Sequence, residues 1–165
     1  MKLYHASSVI IENPDVNHSR LKLDFGKGFY LTSLYEQARK YSFRFITRNQ
    51  RAFINEYVLD DDLSDFKVKT FTSYNEEWLD YVGNCRKGII DRTFDLVEGG
   101  IANDKVFNTI DLYFSWLMNK EDALGRLAFE HPNHQICILN QNLIDQHLHF
   151  ISAEEITKEE LHHVR

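Results

Sequence analysis

Apolar and polar residues alternate in several short stretches of the chain, and this period of two is typical of β-strands that bury one face. The first stretch, MKLYHASS, opens the sequence, and a later one ends at the pair Gly99-Gly100. Seven strands are predicted, over residues 1–8, 28–32, 52–62, 66–73, 94–102, 134–140 and 149–156.

Between these strands, apolar residues recur every three or four positions, which predicts amphipathic helices. Ser33 and Glu36 have the spacing of a capping box, so we expect a helix to begin there. The segment 103–118 carries a long apolar face, and Asn103 or Asp104 is placed to cap it. Further helices are predicted from about Asn75, over about 120–129, as a turn over 141–148 and from Thr157. Strands and helices mixed without a regular βαβ repeat favour an α+β fold with mostly antiparallel strands around a split sheet.

The composition indicates one packed domain. The chain has 165 residues, of which 43% are hydrophobic and 13% aromatic, enough for a substantial core. No Gly/Ser-rich linker or repeat divides it, so we expect a single domain over residues 1–165. The net charge of −6 disfavours a protein whose main role is to coat nucleic acid. A basic stretch, RKYSFRFITRNQR at 39–51, is nevertheless present, and a solvated helix face is its commoner explanation.

The cysteines and histidines give no metal or disulfide signature. Cys85 and Cys137 are far apart in the sequence and lack metal-site spacing. Three close histidine pairs lack the HExxH or paired CxxC context of zinc sites, so we expect no metal cofactor. These pairs are His131 with His134, His147 with His149, and His162 with His163. With no signal peptide and no apolar run of about 18 residues, we expect a cytoplasmic protein without a membrane partner.

Three segments carry residues that together suit a planar ligand: LYHASS at 3–8, GKGFYLTS at 26–33 and EQARKY at 36–41. His5 lies on the first predicted strand and Tyr30 on the second, and Tyr41 follows eleven residues later in a helix. Two such rings can face each other across a slot for an aromatic amide. Gly28 would let the backbone approach the ligand, and His5 would hydrogen-bond a sugar hydroxyl.

These segments resemble the NAD-binding core of ADP-ribosyltransferases of the diphtheria-toxin and poly-ADP-ribose-polymerase type. Proteins of that type carry a histidine on the first strand, a Gly-aromatic-Tyr element on a second and another tyrosine eleven residues on. The whole chain, over roughly 3–151, is similar to a family of small bacterial proteins assigned to this superfamily. The shared pattern is LYH, DFGxGFYLT, ANDKV and an NxQICF-like segment, which reads NHQICIL here. The resemblance implies an ADP-ribosyltransferase-like split antiparallel sheet with flanking helices.

The resemblance also implies roles for individual residues. His5 would bind ribose hydroxyls of NAD, and the backbone of Ala6, where glycine is usual, would pair with the nicotinamide carboxamide. Tyr30 and Tyr41 would enclose the nicotinamide. Further contacts would come from Ser7, Gly28 and Phe29. The reaction would be transfer of ADP-ribose from NAD to an unknown acceptor (protein, nucleic acid or small molecule) with release of nicotinamide. Toxin-like relatives further imply a bacterial effector with a neutralising antitoxin partner.

The catalytic set implied by the resemblance is Gln135, His5 and Tyr30. Enzymes of the superfamily usually carry a glutamate where Gln135 aligns, and that carboxylate stabilises the positive charge that develops on the ribose. Losing such a charge commonly costs about 10²–10³ in rate. Glu56 is expected to be solvated rather than to replace it. Asn103 and Asp104 either cap a helix or line the cleft.

Two other functions are compatible with the same residues. A non-catalytic module of this fold would bind NAD or ADP-ribose, with Gln135 marking the lost charge. An interaction domain would instead have a closed cleft and an aromatic docking surface. Binding without turnover would distinguish the first from an enzyme, and the absence of any nucleotide-induced stabilisation would favour the second.

Overall fold

The computed structural model describes residues 1–19, 23–89, 91–130 and 133–163, and these contain seven strands and six helices. The strands are β1 (Lys2–Ser7), β2 (Phe29–Leu31), β3 (Ala52–Leu59), β4 (Val68–Thr70), β5 (Leu96–Gly99), β6 (Gln135–Ile138) and β7 (Leu148–Ile156). The helices are α1 (Tyr35–Thr47), α2 (Glu76–Arg86), α3 (Asp104–Phe114), α4 (Lys120–Leu127), α5 (Gln141–His147) and α6 (Lys158–His162). Each predicted strand is confirmed in position, and most are shorter than predicted.

The strands form two sheets, which confirms the α+β class. The first sheet has the order β1-β3-β7 and is antiparallel throughout. The second has the order β2-β6-β5-β4, in which only the β4–β5 pair is parallel. One bridge joins the sheets, where Tyr4 and Thr32 exchange backbone hydrogen bonds of 2.8 and 2.9 Å.

The core is layered around these two sheets. Helix α1 covers one face of the first sheet, where Ala38 and Ile46 pack with Ile54. The opposite face packs on the second sheet, and this layer contains Leu3, Tyr57, Phe29, Leu31, Ile136 and Ile138. The far face of the second sheet is covered by α2, α3 and α4, through Trp78, Leu79, Val106 and Leu127. Buried apolar side chains fill the layer between α1 and the first sheet and the layer between the two sheets, and this packing fixes the position of β1 relative to β2.

Helix caps match the sequence prediction in part. Asn103 accepts the expected backbone hydrogen bond at the start of α3, and Asn75 caps α2 in the same way although only the helix start was predicted there. The capping box at Ser33 is wrong: α1 begins at Tyr35 without a side-chain cap, and the Ser33 hydroxyl lies 3.0 Å from His134 Nδ1 instead. Thr157 precedes α6 but makes no side-chain cap either.

The helix predicted over 103–118 is too long at its C-terminal end. Helix α3 ends at Phe114, and Trp116 then adopts a φ of 62°. This left-handed backbone conformation cannot continue a right-handed helix. The side chains of Trp116 and Leu117 are consequently exposed, although the periodic pattern placed Leu117 on the buried face.

Candidate nucleotide site at the edge of the first strand

His5 is held in one protonation form by the backbone of β2. Its Nδ1 lies 2.6 Å from the carbonyl oxygen of Tyr30. A carbonyl oxygen can only accept, so Nδ1 carries the proton and Nε2 is left as an acceptor. The ring stacks on Phe29 at 4.5 Å between centroids. Burial lowers the pKa of His5, which keeps the imidazole neutral near pH 7.

The residue after His5 presents its backbone to an open edge. Met1 and Leu59 exchange backbone hydrogen bonds across β1 and β3, whereas Tyr4 bonds to Thr32 on the other side. Since backbone groups alternate in direction along a strand, the N–H and C=O of Ala6 point to the same side as those of Tyr4. The bridge to β2 ends at Tyr4, and within the described residues no partner lies opposite Ala6.

The backbone N–H and C=O of Ala6 each need a hydrogen-bond partner. Ala6 is only 9% exposed. Nearly all buried backbone N–H and C=O groups in proteins have a hydrogen-bond partner. An adjacent donor and acceptor on a strand edge match the acceptor and donor of a carboxamide. The Nε2 acceptor of His5 belongs to the same short segment.

Tyr30 occupies the opposite face of β2 from Phe29, since neighbouring strand residues point to opposite faces. Its hydroxyl donates to the carbonyl of Gly26 and accepts from the N–H of Phe25 at 3.1 Å. Its ring packs against the core beneath α2 and α3, and burial raises the pKa of its phenol. The side chain of Tyr30 therefore closes the 25–28 turn, while its carbonyl orients His5.

Gly28 lets this turn approach β6 closely. A Cβ added to Gly28 would lie 2.5 Å from both Cys137 Sγ and the carbonyl oxygen of Ile138. The sequence analysis predicted a close backbone approach to a ligand here, which stays a prediction. The close approach in the structure is to β6, and Gly28 N–H also donates to Ser19 Oγ at 2.8 Å.

Tyr41 lies on the outer side of α1 and is 48% exposed. Its ring contacts Phe45, and the Arg44 guanidinium carbon lies 3.6 Å from the ring centroid. No contact joins the rings of Tyr41 and Tyr30, and the Tyr30 hydroxyl is hydrogen-bonded to the backbone of Phe25 and Gly26. Ser7 is half-buried and accepts from the N–H of Val9 at 3.3 Å. The structure thus brings His5, Ala6 and Phe29 together, and leaves the two tyrosine rings separate.

Gln135 belongs to a buried polar network that sequence reasoning missed. Its Nε2 donates to Asp24 Oδ2 at 3.0 Å and to the carbonyl of Gly100 at 3.2 Å. Asp24 also accepts from Arg86, through Nε at 2.9 Å and through Nη2, and from the N–H of Ala102 at 2.9 Å. The network ties the 24–28 turn to β6 and to the start of α3.

Asn103 and Asp104 follow this network directly in the chain. Asn103 Oδ1 accepts from the N–H of Val106 at 2.9 Å, so the helix-capping interpretation is confirmed for Asn103. Asp104 is exposed in the first turn of α3. Glu56 lies on β3 and pairs with Lys2 at 3.3 Å.

A second group that the sequence did not reveal is Glu98 with His134. His134 Nε2 lies 2.7 Å from Glu98 Oε1. His134 Nδ1 accepts a hydrogen bond from the N–H of Ser33 at 3.0 Å, so Nε2 carries the ring proton and donates a hydrogen bond to Glu98. The backbone of His134 is held by the Gln37 amide. This group fastens the turn between β2 and α1 to the start of β6. The only local signal was the polar Asn133-His134 pair before an apolar strand.

Both cysteines are buried as free thiols. Burial raises the pKa of Cys85 to about 11 and raises that of Cys137 further, so both are protonated at neutral pH. In the described part of the chain, no three His, Cys, Asp or Glu side chains are grouped to hold a metal ion. His131 lies outside the described residues. None of the described helices has the length and apolar character needed to cross a membrane.

Two surface cavities lie away from this strand edge. One, of about 490 Å³, is lined by residues that include Asn13, Asp15 and Gln141. The other, of about 530 Å³, is lined by residues that include Leu117 and Phe129. Neither is lined by His5 or Ala6, so the candidate site is an edge between two strands and not one of these cavities.

A family model described as a protein of unknown function (DUF3990) matches residues 1–150. Comparisons with curated proteins and with solved structures found no match.

Proposed function

This chain belongs to the DUF3990 family, and we propose that it binds NAD at the open edge of β1 and transfers ADP-ribose to an acceptor. The observation that carries the proposal is the backbone N–H and C=O of Ala6, a residue only 9% exposed, for which the described part of the chain offers no partner across the edge. The carboxamide of nicotinamide supplies the complementary acceptor and donor. We also propose that the two bridged sheets are the split sheet of the ADP-ribosyltransferase fold, on the sequence resemblance of LYH and GKGFY.

His5 supports the sugar side of this proposal. Its Nε2 is an acceptor because Nδ1–H is bound to Tyr30, and a ribose hydroxyl next to the nicotinamide would donate to it. Burial lowers its pKa, so protonation does not remove this acceptor near pH 7. Phe29 fixes the plane of the ring by stacking.

The proposed reaction breaks the bond between C1′ of the ribose and the nicotinamide nitrogen. The electron pair of that bond leaves with neutral nicotinamide. A hydroxyl or amine of the acceptor forms the new bond to C1′ and loses its proton to solvent. Positive charge develops on the ribose in the transition state, and a carboxylate near the ribose would stabilise it. Gln135 brings no charge, and its amide nitrogen is bound to Asp24 and Gly100, so we expect slow turnover.

The engagement of Gln135 favours a second candidate function. A module that binds NAD or ADP-ribose without turnover needs the edge at Ala6 and the acceptor of His5, but it does not need a charged residue on β6. The toxin-like role with a neutralising partner rests on the sequence resemblance alone. Growth arrest on expression in a bacterial host would test it.

The test uses proline to remove one N–H from the edge. Ala6→Pro deletes the proposed donor but no ladder hydrogen bond, because that N–H points away from β3. Lys2→Pro is the matched control, since the N–H of Lys2, four residues earlier in β1, points to the same side as that of Ala6. Isothermal titration calorimetry measures NAD binding, and nicotinamide release measures turnover.

We expect wild type and Lys2→Pro to bind NAD, and Ala6→Pro to lose binding while keeping its thermal transition. Binding with nicotinamide release supports the transferase. Binding without release supports the non-catalytic module. Equal NAD binding by all three proteins would overturn the placement of the carboxamide at Ala6.

A further inference from the structure

A row of positive charge runs along the outer side of α1. Lys40 and Arg44 lie four residues apart on one side of the helix, and Arg48, the C-cap residue, follows four residues later. All three are exposed. We call these three residues the basic stripe. At 1.5 Å per residue the basic stripe is about 12 Å long, and a nucleic acid strand carries one phosphate about every 3.4 Å in a helix.

The basic stripe is left unneutralised in a protein of net charge −6. Its neighbours at either end are paired, Arg39 with Glu36 and Arg51 with Glu155. No carboxylate among the described residues forms an ion pair with Lys40, Arg44 or Arg48. The nearest carboxylate along the helix is that of Glu36, which pairs with Arg39 at 3.6 Å.

An aromatic surface adjoins the basic stripe. The ring of Tyr41 is half-exposed. The Arg44 guanidinium carbon lies 3.6 Å from the ring centroid and covers one face, so a base would stack on the other face. Exposed aromatic rings beside a positive groove bind single-stranded nucleic acid, because unpaired bases stack on the ring while phosphates contact the cations. A duplex would offer only its backbone here, since its bases are already stacked.

We propose that the basic stripe and Tyr41 bind a single strand of nucleic acid, the shared ligand chemistry being a phosphodiester chain with unpaired bases. A membrane surface fits less well. The apolar face of α1, with Ala38 and Ile46, is packed on the first sheet and is unavailable to lipid. In this proposal the bound nucleic acid is also the acceptor of ADP-ribose. That role rests on the proposed function, whereas the nucleic-acid site does not.

Binding is tested without NAD. Fluorescence anisotropy measures the binding of labelled oligothymidylate, oligouridylate and a duplex, and vesicles containing phosphatidylserine form a further arm. The test variant is Lys40→Ala/Arg44→Ala/Arg48→Ala. The matched control removes the same charge elsewhere on the exposed surface, through Lys67→Ala/Arg92→Ala/Lys105→Ala.

We expect single strands to bind wild type and the control variant more tightly than duplex does. The stripe variant should lose about tenfold or more in affinity at low salt. Each phosphate contact contributes about 0.7 to the steepness of log K against log salt, so the loss of three contacts should make that slope shallower by roughly 2. A preference for oligothymidylate or for oligouridylate assigns DNA or RNA. Equal losses in both variants, equal binding of duplex, or binding to vesicles alone would overturn the proposal.

Labelled NAD then tests the acceptor role. Label transferred to the bound oligonucleotide supports it. Nicotinamide release without labelled oligonucleotide overturns nucleic acid as the acceptor and leaves the transferase proposal standing. Oligonucleotide binding without NAD binding overturns the transferase proposal and leaves the nucleic-acid site standing.

Discussion

The replacement Asp24→Asn tests the buried network that fixes the 24–28 turn. Asp24 is buried and accepts hydrogen bonds from Arg86, Gln135 and Ala102. Asparagine keeps the size of the side chain and one acceptor oxygen. Its other terminal group is an NH₂, which would face the donors of Arg86 or Gln135. The variant therefore leaves a partly buried guanidinium without its charge partner and sets two donors against each other.

The magnitude follows from the burial of the two partners. Breaking a buried ion pair by neutralising one member costs about 3–5 kcal/mol in the free energy of unfolding. The Arg86 side chain is 25% exposed, so solvent compensates part of the loss and the lower end, about 3 kcal/mol, applies. This is a large share of the roughly 5–15 kcal/mol that stabilises a typical domain.

Urea unfolding followed by circular dichroism measures the change. A double-mutant cycle with Arg86→Gln isolates the coupling, which for contacting residues in one network is about 0.5–3 kcal/mol. A loss below about 0.5 kcal/mol for Asp24→Asn, the range of surface substitutions, would refute a structural role for the network. Zero coupling with a large single loss would show that Asp24 acts through other partners.

Three further predictions concern the same region. Gly28→Ala should cost about 2–3 kcal/mol of unfolding free energy, because its Cβ would meet Cys137 Sγ and a backbone oxygen at 2.5 Å, whereas Gly125→Ala on the open side of α4 should not destabilise in the same urea assay. Gln135→Glu should place a carboxylate beside Asp24 Oδ2, and the two repel when the glutamate ionises. The loss in unfolding free energy should therefore grow as pH rises above about 4, and a loss that does not change with pH would contradict this. The pKa of His5 is lowered in the folded state, so below pH about 6.5 the unfolded state binds more protons and the free energy of unfolding should fall as pH falls through that value. His5→Asn should remove this part of the pH dependence. A pH dependence that is the same in both proteins would count against a buried neutral ring.

Local pattern predicted the elements well because it depends on near neighbours. Alternation located β1, β3 and β7, the apolar pattern located the start of α2 near Asn75, and asparagine before an apolar helix located the cap at Asn103. The prediction at Ser33 failed because a distant residue holds Ser33 in another way. His134 Nδ1, 101 residues away, accepts from the N–H of Ser33 and lies 3.0 Å from its hydroxyl, which therefore donates to His134 and does not accept a helix N–H. The end of α3 depended on one left-handed residue, Trp116, for which the sequence has no glycine or proline signal.

Only the site residues that are neighbours on a single strand could be placed together from the sequence. His5 and Ala6 are adjacent, so their joint position follows once β1 is placed. The face of β2 that Tyr30 occupies depends on register, and no periodicity in a three-residue strand determines it. The link between Asp24 and Gln135 spans 111 residues, and neither residue has a local signature.

The backbone amide of Ala6 offers the most direct test of the account. In a titration of the isotopically labelled protein with NAD, we predict that the ¹H–¹⁵N resonance of Ala6 moves the most, with His5 ring signals moving alongside and the Lys2 amide unchanged. An Ala6 amide that stays in place at saturating NAD, while shifts appear elsewhere or nowhere, would contradict binding of the carboxamide at this edge.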